Sequence, residues 1–447
     1  MGGAMSADGA TTWVPELRFP EFRGAGGWQL KPLGDLAKPI SERVGTINCV
    51  PMSITTGVGL VSQEEKFGRT IAGDSYKNYI RLQTDDFAYN KSATKEFPQG
   101  YIARYSGDEN VAVPNSIFSC FRPDTAAVLP DYLDHLFHGN FHGRWLRRYI
   151  TIGARAHGAL SVSDDDLMSM PVPVPPAAVS LPEQQKIADC LGSLDELIAS
   201  ESRKSEGLRK HKEGLLQQLF PLPGKTVPHL RFPDFRYTGD WEEMSIQEMI
   251  DKQLIVGHLD GNHGELYPKP DEFTQDKDGV PYISANDFMN GSVDFTKCKR
   301  LPLERARLFK KGVARDGDIL FAHNATVGPV AKLNTTAEFV VLSTTATYFR
   351  CNAASLSNDF LKFGLSSPAF VKQYSSVMAQ STRNQVPITT QRKLKLYVTT
   401  LLEQQRVAAC LSALDDLIVA QARKIGVLKI RKRSLLRRLV PHPRGNE

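Results

Sequence analysis

Three histidines, His135, His138 and His142, recur at i, i+3 and i+7, a spacing that would set three imidazoles on one helical face and could hold a metal ion. No carboxylate or cysteine of ligand spacing completes that shell, and Gly139 and Gly143 interrupt the helix that would carry it, so no metal is expected. Asp164, Asp165 and Asp166 could suggest an acidic metal site, yet in SVSDDDL they read more simply as the acidic first turn of a serine-capped helix. Catalytic signatures are missing. There is no GxxxxGK(S/T) phosphate loop, no GxGxxG cofactor turn and no (D/N)PP(Y/F) of an amino-methyltransferase. No carboxylate–lysine cluster and no Ser/His/Asp arrangement stands out either, so the chain is expected to have no catalytic activity and no cofactor of its own. The six cysteines lack CxxC spacing and read as reduced thiols, with Cys190 and Cys410 as small packing residues. Arg431, Lys432, Arg433, Arg437 and Arg438 form the sharpest basic cluster, equally a solvated helix face or a contact for a polyanion.

The elements that could position such groups are written twice. LPEQQKIADCLGSLDELIASESRKSEGLRKHKEGLLQQLFP at 181–221 returns as LLEQQRVAACLSALDDLIVAQARKIGVLKIRKRSLLRRLVP at 401–441, with 19 of 41 positions identical at a constant offset of 220. VPELRFPEF at 14–22 likewise returns as VPHLRFPDF at 227–235, each followed by a tryptophan, Trp28 and Trp241. The period is too long for a solenoid and describes two similar halves. In each long copy a seam steps alternately by four and three residues. It runs through Ile187, Leu191, Leu194, Ile198, Glu201, Ser205, Leu208, Lys212, Leu215 and Leu219 in the first copy. In the second it runs through Val407, Leu411, Leu414, Ile418, Gln421, Ile425, Leu428, Lys432, Leu435 and Leu439. These are heptad seams, apolar at the ends and polar near the middle, on helices of about 37 residues and roughly 55 Å. Pro182 and Glu183 suit a first helical turn, and Pro221 and Pro441 end the helices. The short linker PLPGKT puts the second globular region beside the C-terminal end of the first helix, and that region feeds the second helix back. The two helices should therefore run antiparallel, with one globular region at each end.

Composition limits the setting. A chain of 447 residues with 41% hydrophobic content can bury two cores. No apolar run approaches the roughly 18 residues of a membrane span, and the N-terminus lacks the pattern of a signal peptide, so a cytoplasmic location without membrane is expected. The net charge of +6 sits largely in 401–441, which has nine Lys and Arg against three acids, whereas 181–221 has six against seven. The globular regions alternate β-branched and aromatic residues in SIFSCFR (116–122), GDILFA (317–322) and EFVVLSTTATYFR (338–350), and each has a helix-like stretch, at 131–150 and 358–377. TDDFAYNKS (84–92) parallels DGDILFAHN (316–324), CFR (120–122) parallels YFR (348–350), and HGALSVSDDDL (157–167) parallels NQVPITTQRKL (384–394). The halves share a plan while their surfaces diverge.

The order head motif, variable region and PxxEQ-type helix, twice over, closely resembles the specificity subunit of type I restriction–modification systems across essentially the whole chain. LRFPEF…W, the GDILF turn with Val327–Gly328 and the PEQQKIA/LEQQRVA helices carry the resemblance. TDDFAYNKS in place of the GDxLF form, and LLEQQ without the proline seen at Pro182, depart from it. The resemblance implies a mixed α/β chain with a pseudo-two-fold: two α+β target-recognition domains joined by two long helices packed as an antiparallel coiled coil. The domains would span 1–178 and 223–398, and the spacer helices 179–222 and 399–447. Each domain would read half of a non-palindromic, bipartite site on double-stranded DNA. The helices would space the halves and dock two methyltransferase subunits, with restriction/translocase subunits as further partners. S-adenosylmethionine, ATP and Mg would then sit on those partners. Loop residues able to pair with or stack on bases are Asn90, Lys91, His323, Asn324, Arg383, Asn384 and Gln385; candidate phosphate contacts are Lys77, Arg104, Arg144, Arg147, Arg148 and Arg155. Two alternatives are a coiled-coil scaffold without nucleic acid and a single-chain restriction–methylation enzyme. The first leaves the divergent heads unexplained, and the missing catalytic motifs oppose the second.

Overall fold

In the computed structural model, which describes residues 4–5, 11–55, 57–150, 160–380 and 383–441, each long copy is one uninterrupted helix, Ser180–Leu219 and Leu401–Leu439. Every seam position named above is buried or half-buried. The chain divides into two compact units, Met1–Ser200 with Ile425–Glu447, and Glu201–Lys424, so that part of each long helix belongs to each unit. In the first unit Ile187 and Leu191 share a core with Leu436, Leu439 and Val440, and Lys432 pairs with Asp195. In the second, Lys212 reaches Asp415 at 2.6 Å while Glu201 meets Gln421 and Lys424. The partner numbers fall as the first helix advances, so the two segments run in opposite directions within that unit.

The first unit has an antiparallel sheet of strands Ala37–Pro39, Phe118–Pro123, Phe87–Asn90 and Tyr101–Arg104, in that order. A second sheet orders Gly59–Ser62, Val50–Thr55, Val111–Val113 and Ile80–Leu82, with Val111 parallel to Val50. Phe87 and Phe121 stack at 5.3 Å under the helix Pro130–His138, whose Phe137 completes the cluster edge-on.

The second unit repeats this order and extends it. Ile255–Asp260, Ala346–Cys351, Ile319–Asn324 and Thr326–Lys332 are followed by two short strands, Ser292–Val293 and, at the edge, Phe288–Met289. Its other sheet orders Lys299–Leu301, Val280–Ile283, Val340–Leu342 and Val313–Ala314, with Tyr282 again parallel to Val341. In each unit a two-stranded ribbon joins the start of the head to its end: Gln29–Pro32 with Pro171–Val174, and Glu242–Ser245 with Lys395–Val398.

Three stretches that read as continuous in the sequence are broken. EFVVLSTTATYFR is two strands in different sheets, turned at a corner where the Ser343 and Thr345 hydroxyls bond at 2.7 Å. The stretch at 131–150 ends its first helix at Gly139, turns through Asn140 at φ +59° and restarts as Phe141–Leu146. The stretch at 358–377 breaks into Asn358–Leu365 and Pro368–Ala379, because Ser367 caps the second helix and Pro368 takes its first turn. Asp164–Asp166 do open a helix capped by Ser163, with Asp166 closing a capping box.

Candidate nucleic-acid interface

The residues that hold the heads in place are those repeated in both copies. In the first unit Arg18 of LRFPEF donates from Nε and Nη2 to the two carboxylate oxygens of Glu183, both at 2.7 Å, and from Nη1 to the Gly26 carbonyl at 2.6 Å. In the second, Arg231 donates to Glu403 at 2.7 and 2.8 Å and to the Gly239 carbonyl at 2.7 Å. Gly26 and Gly239 turn at φ +83° and +88°, which presents those carbonyls at no steric penalty. Side-chain exposures of 6% and 1% in the first pair, and 7% and 1% in the second, make both buried ion pairs whose partners depend on each other. The next residue of each helix holds the head's own helix. Gln184 accepts the Leu129 N–H at 2.8 Å, and Gln404 accepts the Ser357 N–H at 2.9 Å; each donor is the residue that caps the first head helix. The two adjacent side chains of each EQ pair therefore fasten two parts of a head to a long helix.

A second repeated pair fixes the central sheet. Arg122 grips Asp86 at 2.7 and 2.8 Å, and Arg350 grips Asp318 at 2.9 and 2.7 Å, with both carboxylates buried. The residue before each aspartate turns left-handed: Gly317 at φ +82°, but Asp85 at +73°. Asp85 carries that strain in the place of a glycine, and its carboxylate accepts Arg104 Nε at 2.8 Å.

A third correspondence differs in chemistry. Asp415 lies between Lys212 at 2.6 Å and Lys362, from the head helix, at 3.1 Å. Asp195 lies between Lys432 and the head-helix residue His135, whose Nδ1 is 3.6 Å away. Burial, assisted by Lys432, lowers the His135 pKa, so this head meets its long helix through a titratable group where the other uses a lysine. The three histidines do not converge. His135 Nε2 faces the Ala188 carbonyl, His138 Nδ1 the Asp134 carbonyl, and His142 Nε2 the Gly100 carbonyl.

Above this frame, the strand end carrying Asn90 and Lys91 meets the segment that leads to the Asp164 helix. The Leu160 N–H donates to the Lys91 carbonyl at 2.7 Å, and Lys91 Nζ lies 3.3 Å from Asp164. The second unit matches this with the Val386 N–H on the His323 carbonyl at 2.8 Å. Leu160 thus takes the place of Val386, one residue from the register in which the sequence aligns 157–167 with 384–394. Asn324, Arg383, Asn384 and Gln385 come together there. Asn324 bridges to Gln385, and Asn384 Nδ2 donates to the carbonyl of Ala325, which turns at φ +64°. Arg383 and Asn384 are exposed, and Asn90 accepts the Ser92 N–H at 3.1 Å.

Two candidates are corrected. His323 is only 6% exposed, its Nδ1 lies 2.9 Å from the Thr347 hydroxyl, and burial lowers its pKa, so its ring is packed in the core rather than displayed on a loop. Arg104 is committed to Asp85 and Asp131, which leaves its side chain 17% exposed and its charge matched. Lys77, Arg144 and Arg147 are exposed, and Arg148 stacks over the Trp145 ring at 4.1 Å. Arg155 lies outside the described residues. The frame residues Arg18, Arg231, Glu183, Glu403, Asp86 and Asp318 went unassigned in the sequence. Their signal was there: charged residues repeated in register beside apolar ones. Among the described residues no group of three or more His, Cys, Asp or Glu could hold a metal ion, and no helix is long and apolar enough to cross a membrane.

Residues 238–429 match the family model of the type I restriction modification DNA specificity domain. A Methanocaldococcus jannaschii protein assigned as the MjaX type I restriction enzyme specificity subunit is 24% identical over 347 residues, 76% of this chain and 74% of its own. The MjaVIII specificity subunit of the same organism is 23% identical over 60% of this chain and 61% of its own. Among solved structures, a chain described under complex assembly and conformational transition of the type I R-M system superposes with a TM-score of 0.56 at 18% identity, over 92% of this chain and 97% of that one. The S subunit from M. genitalium gives 0.52 at 13% identity, over 96% and 99%. The match over 238–429 assigns that region to the type I restriction modification DNA specificity domain, and over the rest of its length the chain is similar in sequence and in fold to type I specificity subunits.

Proposed function

We propose that this chain is the sequence-reading subunit of a type I restriction–modification complex, binding double-stranded DNA and performing no catalysis itself. Each head reads one half of a bipartite site. Because the heads differ, the site is non-palindromic. The long helices form an antiparallel coiled coil about a pseudo-two-fold axis, space the two halves and dock two methyltransferase subunits, with which restriction/translocase subunits assemble. S-adenosylmethionine, ATP and Mg belong to those partners, and the complex works in the cytoplasm. Methylation extrudes the target base from the stack, a step carried out by the methyltransferase subunit that this chain has placed.

The observation that carries this reading is the contrast between frame and surface. Arg18–Glu183 and Arg231–Glu403 are built alike to within 0.1 Å, while the loops beyond them present Asn90 and Lys91 on one head and Asn324, Arg383, Asn384 and Gln385 on the other. A scaffold protein has no use for such divergence on a constant frame. A helix of 40 residues is about 60 Å long, nearly two turns of B-DNA, which suits heads meeting successive openings of one groove. Base-edge contacts from the loops would discriminate, and phosphate contacts from exposed arginines would set register. Footprinting of DNA by this chain assembled with its methyltransferase subunits tests the proposal. Two protected patches separated by a few unprotected base pairs are expected. One continuous patch with a symmetric sequence, or no protection, would exclude it.

A further inference from the structure

The charge of the repeat departs from its symmetry towards the ends of the two long helices. Where the second long helix ends in Arg433, Arg437 and Arg438, the first has Glu213, Gln217 and Gln218 at the same offset of 220 residues. In the first unit Arg433 and Arg437 rim a shallow depression together with Arg144 from the head's short helix Phe141–Leu146, floored by Leu136, Phe141 and Leu436. The two elements pack closely because residue 139 is glycine: a Cβ there would collide with Leu436 Cδ2. Arg144, Arg433 and Arg437 are exposed, and among the described residues none of the three has an ion-pair partner, whereas Arg438 is held by Glu16 at 2.8 Å. Arg147 and the Trp145-stacked Arg148 continue the face. In the second unit the matching helix end presents Glu213, and the nearby Lys362 and Lys212 are both spent on Asp415.

This face is joined to the reading end of its own head. Trp145 Nε1 donates to the Asp166 carbonyl at 3.3 Å, in the short helix whose Asp164 pairs with Lys91. His142 is fastened to the Gly100 carbonyl at 3.2 Å and lies edge-on to Tyr89, next to Asn90. Arg144 is thus carried by the helix that supports the candidate base readers, and Arg433 and Arg437 by the long helix packed against the same head. Unpaired guanidinium groups held in this way suit the oxygens of phosphates.

We infer that Arg144, Arg433 and Arg437 form a DNA-backbone contact peculiar to the first unit, engaging phosphates flanking the half-site read by that head. The inference rests on the proposed DNA-reading function and adds to it an unequal division of electrostatic affinity between the two ends. The asymmetric charge of the repeated helices is then a device for anchoring one end of the molecule without altering what it reads.

The test is the salt dependence of binding by the full-length chain to a mixed-sequence DNA duplex. Each phosphate contact adds about 0.9 to the slope of log K against log salt, so Arg433→Gln with Arg437→Gln should flatten it by about 1.8. The charge-matched control is Arg203→Gln with Lys204→Gln, on the first long helix, and should change the slope by clearly less. Equal changes in both would mean a bulk charge effect and overturn the inference. So would an unchanged slope in the double variant, or an unchanged slope with loss of co-purifying methyltransferase subunit, which would make the face a protein contact. A wild-type chain that binds no duplex at all would overturn the inference together with the reading beneath it. Wild-type binding with an unaltered slope in the variant overturns the inference alone.

Discussion

Replacing Glu403 by glutamine tests the clamp that holds the second head. The change keeps the volume and one acceptor oxygen but removes the charge facing Arg231, which is 7% exposed at its side chain. Arg231 would retain the Gly239 carbonyl at 2.7 Å and the Thr238 hydroxyl at 2.9 Å, two neutral acceptors for a buried cation. Removing one partner of a buried pair costs about 3–5 kcal/mol; with these residual bonds the lower end, about 3 kcal/mol, is expected. Hydrogen exchange of the full-length chain locates the loss. Amides of the ribbon Glu242–Ser245 with Lys395–Val398, which flanks the clamp, should exchange about a hundredfold faster. Those of the matching ribbon in the first unit, Gln29–Pro32 with Pro171–Val174, should not change. Removing both charges with Arg231→Met and Glu403→Met leaves no uncompensated ion and should recover to within about 1 kcal/mol of wild type. A loss below about 1 kcal/mol in Glu403→Gln, or a double variant worse than the single one, would refute the view that the clamp is held by mutual charge satisfaction.

Three further outcomes follow from the same frame. Asp318→Asn strips the buried partner of Arg350 and should destabilise the second unit by about 3 kcal/mol in denaturant titration, while Asp316→Asn, on the exposed side of the same turn, should change stability by less than about 0.5 kcal/mol. Gly100→Ala would place a Cβ 2.5 Å from the Asn90 carbonyl oxygen at a residue with φ +81°, so thermal stability should fall by at least about 2 kcal/mol and exchange at the Asn90 strand end should rise. Burial lowers the pKa of His142 and of His258 to about 4, so the folded chain resists protonation that the unfolded chain accepts near 6.5. Their contribution is complete above that unfolded value and is lost as pH falls from about 6.5 towards 4; His142→Leu should flatten this acid limb of the stability–pH curve, whatever its effect at neutral pH.

The long helices, their seams and their ends were legible because heptad spacing and flanking prolines are local signals, and every seam residue from Ile187 to Leu439 is indeed withdrawn from solvent. The parallels between 84–92 and 316–324 and between the CFR and YFR triplets proved to be two halves of one interaction, the Asp86–Arg122 and Asp318–Arg350 pairs, which a linear comparison could align but not join. The corner at Ser343–Thr345 was hidden because hydroxyl residues suit a strand in sequence, and only the sheet topology shows that the chain changes layers there. His323 misled for a related reason: an imidazole at a strand end serves equally as a surface reader or as a buried ring bonded to a hydroxyl, and burial depends on tertiary packing. Arg104 was spent on Asp85 by a left-handed turn that the sequence marks only as a missing glycine.

The central claim is that two unlike heads on one repeated frame dictate where a partner methylates DNA. Genome-wide mapping of methylated bases, in a host carrying the methyltransferase subunit with and without this chain, tests it most directly. Removal of the chain should erase one bipartite, non-palindromic motif with modified adenines on opposite strands and leave every other motif in place. An identical map in both strains, with the methyltransferase subunit shown to be active, would contradict the claim.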